Sequence, residues 1–152
     1  MTTQSLNQFA PGPLVGDSIK GASLNKVSAR LNPASTSAYL KAGQAVKLIA
    51  GASGEILVDA IAAGDAVIGT ILYNTKRNTY AAGDIVEIAL EGSIVLLETG
   101  AAVNRGAQVA TDPANGAISA AASGASATGI AFGHATAAGQ VIAVQIKPAA
   151  VA

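Results

Sequence analysis

Cysteine and tryptophan are missing from these 152 residues, and histidine occurs once. Without cysteine there is neither a disulfide framework nor a thiolate metal site, although the redox compartment stays undetermined. Aromatic residues make up only 3% of the chain, which removes the stacking platforms that single-strand binders use. Charge is just as sparse. Charged residues are 12% of the total and sum to zero, so no basic field gathers phosphates and nucleic acid is not a partner on this reading. No apolar run approaches the roughly 18 residues of a membrane span, because glycine interrupts the Ala, Val, Ile and Leu that dominate the apolar half. The start, MTTQSLNQFAPGPLVGD, lacks the positive and apolar regions of a secretory signal and reads as a mature cytoplasmic start.

A chain of this length closes a single hydrophobic core, with at most an appendage. Two grammars divide it. From residue 1 to 39, Pro11, Pro13 and Pro33 stand among Gly12, Gly16, Gly21 and many Ser, Thr and Asn, with no sustained period of 2 or 3.6. That mixture disfavours helix interiors and central strands, and it predicts an extended, irregular N-terminal arm. From about residue 40 to 152 short alternating segments follow one another. In GDIVEIALEG, Val86, Ile88 and Leu90 oppose Ile85, Glu87 and Ala89, the pattern of a half-buried strand. VIAVQIKP sets Ile142, Val144 and Ile146 against Val141, Ala143, Gln145 and Lys147, and GEILVDA sets Ile56 and Val58 against Glu55, Leu57 and Asp59.

The punctuation repeats as well. KAGQAV, AAGDAV, AAGDIV, NRGAQV and AAGQVI each place a glycine (Gly43, Gly64, Gly83, Gly106, Gly139) just before a Val- or Ile-containing strand. Only glycine enters positive φ without strain, so these are predicted corners. Their spacings of 21, 19, 23 and 33 residues are too irregular for a solenoid. TDPANGAI predicts a hairpin between Val109 and Ile118, and SAAASGASAT a flexible connection or a short helix. The fold class is therefore all-β, a small β-barrel or β-sandwich carrying the arm.

Chemistry is thin along the chain. His134 has no Gly-x-Ser-x-Gly elbow beside it and reads as a turn residue. Glu87, Glu91 and Glu98 lie on a strand and its turns without a sugar-binding aromatic platform. Asp65 and Asp84 follow turn glycines and read as ligands of local backbone, since no calcium-loop run surrounds them. GASGE and GASATG open no helix and carry no Lys-Ser/Thr pair, so they are turns and not phosphate loops; NTKRNT reads as a solvated hairpin tip. No catalytic, metal or cofactor site is assigned.

The arm carries Lys20, Lys26 and Arg30 against Asp17, a net +2, while the remainder is −2. Fully extended, about 38 residues reach roughly 130 Å, far enough to touch other subunits. Phe9, Leu14, Val15, Ile19, Leu24, Val27 and Leu31 bury too little to order the whole arm, so it either stays loose or adds its backbone to a neighbouring sheet.

From Lys41 to Pro148 the succession of Gly-x-x-Val corners, the Gly-Asp-x-Val-x-Ile strand at Gly83, Gly-x-Gln-Val at Gly106, and the closing Gly-Ile-Ala and Ala-Ala-Gly-Gln-x-Ile-x-Val hairpin resembles the capsid decoration, or cement, proteins of tailed bacteriophages. The resemblance implies a non-enzymatic β module, commonly a homotrimer. It implies a place on the outer surface of the virion, where the protein bridges major capsid protein subunits. It needs no cofactor. It also implies that the arm docks on the capsid, with Phe9, Leu14, Val15, Ile19, Lys20, Leu24, Lys26, Val27, Arg30 and Leu31 as candidate contacts. Two alternatives stay open: a phage surface module that recognises a host glycan, for which the aromatics are few and scattered, and a hydrolase using His134 or the glutamates.

Overall fold

The computed structural model describes residues 15–18, 22–37, 39–51, 54–74 and 79–151. Ten strands run through them: β1 (Lys26–Leu31), β2 (Ala45–Ile49), β3 (Leu57–Ala60), β4 (Gly69–Ile71), β5 (Ile85–Ala89), β6 (Ile94–Glu98), β7 (Gln108–Thr111), β8 (Ile118–Ala120), β9 (Ser126–Ala131) and β10 (Val141–Ala150). No helix occurs among the described residues, so SAAASGASAT is strand and turn and not the short helix its alanines allow. The all-β expectation holds.

The first five strands close a barrel in the order β1-β3-β2-β4-β5, and the last five form a sheet in the order β6-β10-β9-β7-β8. Barrel closure depends on β1, which lies parallel to β3 (Leu31 opposite Val58) and antiparallel to β5 (Ala29 opposite Val86). The barrel thus begins inside the segment read from sequence as arm. KVSARL has strand alternation, but its polar positions and Pro33 just beyond it hid that pattern. Inside, Leu31, Val46, Val58, Ile71, Val86 and Ile88 fill the barrel together with Tyr80 and Leu40. The predicted alternation of β5 holds from Ile85 to Ile88, with Val86 and Ile88 buried and Ile85 61% exposed, but Ala89, expected on the wet face, is buried where the strand meets the second sheet's core, and Leu90 is only half-buried.

In the second sheet Ile142, Val144 and Ile146 of β10 pack with Val95, Leu97, Val109 and Ile118. Leu72 and Ala89 from the barrel side belong to the same cluster, so this core reaches across to the barrel, whose own interior is a separate cluster. The sheet is itself nearly closed, because Thr99, just after β6, bridges Ile118 of β8 and the Gly100 N–H donates to the Ile118 carbonyl at 2.8 Å.

The corner glycines do what the repeated sequence predicts. Gly43, Gly64, Gly83, Gly106 and Gly139 all have positive φ, from 83° to 90°. At the first four, the residue after the glycine donates its N–H to the carbonyl three positions back, at 3.1 Å in each case, the signature of a type II turn. The TDPANGAI hairpin is present too: Thr111 pairs with Ile118, Asp112 Oδ1 accepts from the Ala114 N–H, and Asn115 Oδ1 accepts from the Ala117 N–H.

Candidate functional site

A free sheet edge invites pairing with other chains, and β6 forms the edge of the second sheet. The N-terminal run covers it. Gly16 donates to the Leu96 carbonyl at 2.6 Å, the Leu96 N–H donates to Asp17 at 2.8 Å, and the Ile94 N–H donates to Ser23 at 3.2 Å. Gly16 also accepts from the Tyr73 N–H at 2.9 Å, which ties the same run to the barrel. Only glycine suits this place: φ is +82°, and a Cβ would lie 2.8 Å from both Ala42 Cβ and Gly43 N. Farther along, the Ser93 hydroxyl accepts from the Asn25 N–H and donates to the Asn25 carbonyl, at 2.8 and 2.9 Å. The described parts of residues 15–25 form a clip across the seam between barrel and sheet.

The ten arm candidates therefore separate. Phe9, Leu14, Ile19 and Lys20 lie outside the described residues. Val15 is half-buried in the clip, against Gly43, and Leu24 is exposed. Lys26, Val27, Arg30 and Leu31 belong to β1. Leu31 has no exposed surface, so burial assigns it to folding, while Val27 is half-buried against the barrel core. Lys26 pairs with Glu87 at 3.0 Å, while Arg30 pairs with Glu55 at 3.1 Å and donates to the Gly83 carbonyl at 3.3 Å.

Apart from Leu24 and Leu48, which stand alone, the large exposed apolar side chains among the described residues fall on two surfaces that sequence alone did not bring together. Ile56 and Ile85 flank Arg30 on the barrel, in a concavity shared with Ser28 and Glu55. Phe132, 45% exposed, shares a shallow concavity with Ile130, Ala131, Arg105 and Gly106 on the sheet. Which of two isoleucines or five aromatics faces solvent depends on strand pairing, and no local pattern carries that information.

The groups weighed for chemistry stay apart. His134 is exposed just beyond β9. Glu87 is engaged with Lys26, and Glu91 occupies a turn. Asp65 and Asp84 each accept from the N–H three residues back, at 2.8 and 2.9 Å, as turn residues should. The Lys47 ammonium and then the Ala62 N–H hold the Asp65 carboxyl below the usual carboxylate range. Burial, and secondarily Glu98, pushes the Tyr39 phenol up, while Lys41 Nζ stands 5.3 Å from the centre of the Tyr39 ring. No group of three or more metal-ligating side chains occurs among the described residues. Thr75–Asn78 of the NTKRNT tip fall outside them.

Comparison with known proteins fits this arrangement. A family model described as structural cement protein (E217 gp24/Pam3 gp6) matches residues 3–147. Among solved structures, the N base of head fibre gp8.5 from bacteriophage phi29 shares the fold: TM-score 0.56, 14% identity, 82% of this chain and 95% of that chain covered. A search of curated proteins finds no match.

Proposed function

We infer the role of this chain from its kinship: it belongs to the structural cement protein family of phages, matched over nearly its whole length. As such it is a structural component of the phage capsid. We place it on the outer surface of the head, as a homotrimer that bridges neighbouring major capsid protein subunits and stiffens the shell. The family match is the observation that carries this reading. Its physical logic is multivalency: a rigid module presented repeatedly on a symmetric lattice gains avidity from contacts that are individually weak, so it needs no bond-making site.

The architecture supports the role. A closed barrel and a nearly closed sheet leave few free strand edges, which suits a protein that must dock on one partner without polymerising through its edges. The clip delivers the preceding residues to the seam at Val15. The segment carrying Phe9 and Leu14 is our candidate for contact with a capsid subunit, together with the exposed Leu24.

The test uses heads assembled without this protein. Adding it back should raise the temperature at which the heads release DNA, and a cryo-electron microscopy difference map should place the added density outside the shell at sites joining adjacent subunits. Sedimentation should report a trimer, and removal of residues 1–14 should weaken binding while the melting curve of the β module persists. Heads that gain neither density nor heat resistance would end the assignment.

A further inference from the structure

We propose that the sheet face around Phe132 is the part of the β module that docks on the shell, and that it receives an apolar side chain flanked by a carboxylate from the capsid subunit. This rests on the cement reading above. Phe132 is the exposed ring among four described aromatics: Tyr80 is buried, and Tyr39 and Tyr73 are partly so. Together with Phe132, the residues Arg105, Gly106, Ile130 and Ala131 line an open concavity of about 380 Å³. Around this apolar centre the rim is polar: Ile130 stands between the uncharged Gln108 of β7 and Gln145 of β10, and Arg105 adds a charge. An apolar centre inside a polar rim is the anatomy of a protein interface.

The face is also rigid. The Phe132 and Gly133 N–H groups both donate to the Ala143 carbonyl, at 2.8 and 3.1 Å, so the backbone beneath the ring is pinned to β10. Arg105 sits in the type II turn 104–107, whose Gly106 N–H donates to the Ala131 carbonyl at 2.7 Å. Val103 and Ala135 then exchange two bonds of 2.9 Å and lock the turn to the loop after Phe132. A partner meeting this surface orders little of it, which keeps the entropic penalty of association small.

Charge selects the occupant. On the barrel face with Ile56 and Ile85, both Lys26 and Arg30 already have carboxylate partners. Arg105 has no ion pair among the described residues, so the Phe132 face presents an uncompensated guanidinium beside an aromatic ring. A twofold pairing of this face with itself would put two guanidiniums into one interface whose lining supplies no carboxylate, whereas a carboxylate on the shell subunit completes a bidentate pair.

The experiment measures binding of wild type, Phe132→Ser, Arg105→Glu and Ile85→Ser to heads assembled without this protein, with each variant's melting curve and sedimentation recorded. Phe132→Ser and Arg105→Glu should each weaken binding by about tenfold or more, Ile85→Ser should bind as wild type does, and Arg105→Glu should flatten the salt dependence. Equal binding by the first two variants and wild type overturns the proposal and leaves the cement reading intact. So does a change of oligomeric state in Phe132→Ser, which would make the face a contact between copies. Heads that take up no wild-type protein remove both.

Discussion

Replacing Gly16 by alanine should open the clip without unfolding the barrel. Two penalties act on the alanine: about 1–2 kcal/mol for a side chain in the left-handed region, and about 1–3 kcal/mol for a Cβ forced against fixed neighbours. Those neighbours are Ala42 Cβ, Gly43 N and Ile71 O, at 2.8, 2.8 and 3.0 Å, and none is the end of a flexible side chain. Four backbone bonds hold residues 16–23 to Leu96, Ile94 and Tyr73. At about 0.5–1.5 kcal/mol each they give about 2–6 kcal/mol, reduced by the entropy of ordering the segment. Strain and holding energy are thus of equal size, and local release is the cheaper response. Amide hydrogen exchange reads this directly. The Tyr73 and Leu96 amides, which donate to Gly16 and Asp17, should lose at least about tenfold of their protection, while interior strand amides follow global stability alone. Gly64→Ala is the control, since Gly64 has φ +86° but nothing within 4 Å of the new Cβ. Unchanged exchange at Tyr73 and Leu96 in Gly16→Ala, or the same loss in the control, would refute the reasoning.

Other perturbations have definite outcomes. Leu31→Ala should destabilise by about 3 kcal/mol, lowering the melting temperature by about 6–12 °C, because Leu31 is wholly enclosed in the barrel core. Gly69→Ala would set a Cβ 2.0 Å from the Ala89 carbonyl oxygen, so β4 and β5 must part; its melting temperature should fall well below that of Gly64→Ala. The lowered pKa of Asp65 gives an acid signature. Its ionised form is favoured in the folded state, so the stabilisation is complete above the ordinary Asp value of about 3.9 and disappears as pH falls through the lower folded value. The melting deficit of Asp65→Asn at neutral pH should therefore shrink in acid, as a pH series of melting curves would show.

What the sequence revealed was local. Turn glycines were legible because positive φ is a property of one residue, and β5 and β10 because apolar alternation over five or more positions has one reading. β1 was not, since three of the six residues of KVSARL are polar and its apolar set includes a small alanine. Barrel closure was beyond reach for a different reason: pairing Lys26–Arg30 with Ile85–Ala89 is decided by contacts across the middle of the chain. Of the candidate surfaces, the arm was visible as composition. The Phe132 face was not, because its members come from the 104–107 turn and the end of β9, and the turn's place beside Phe132 comes from strand pairing.

The late partner of β1 has a consequence for biosynthesis. Arg30 meets Ile85 only after another 55 residues have been made, about 3–11 s at ordinary rates of translation. Until then only β3 can pair with β1, at Arg30 and Leu31, and the β5-facing edge of β1 stays open to other chains. Lys26, Ser28 and Arg30 set polar side chains at alternate positions of that strand, the residue type that lowers the risk of such pairing.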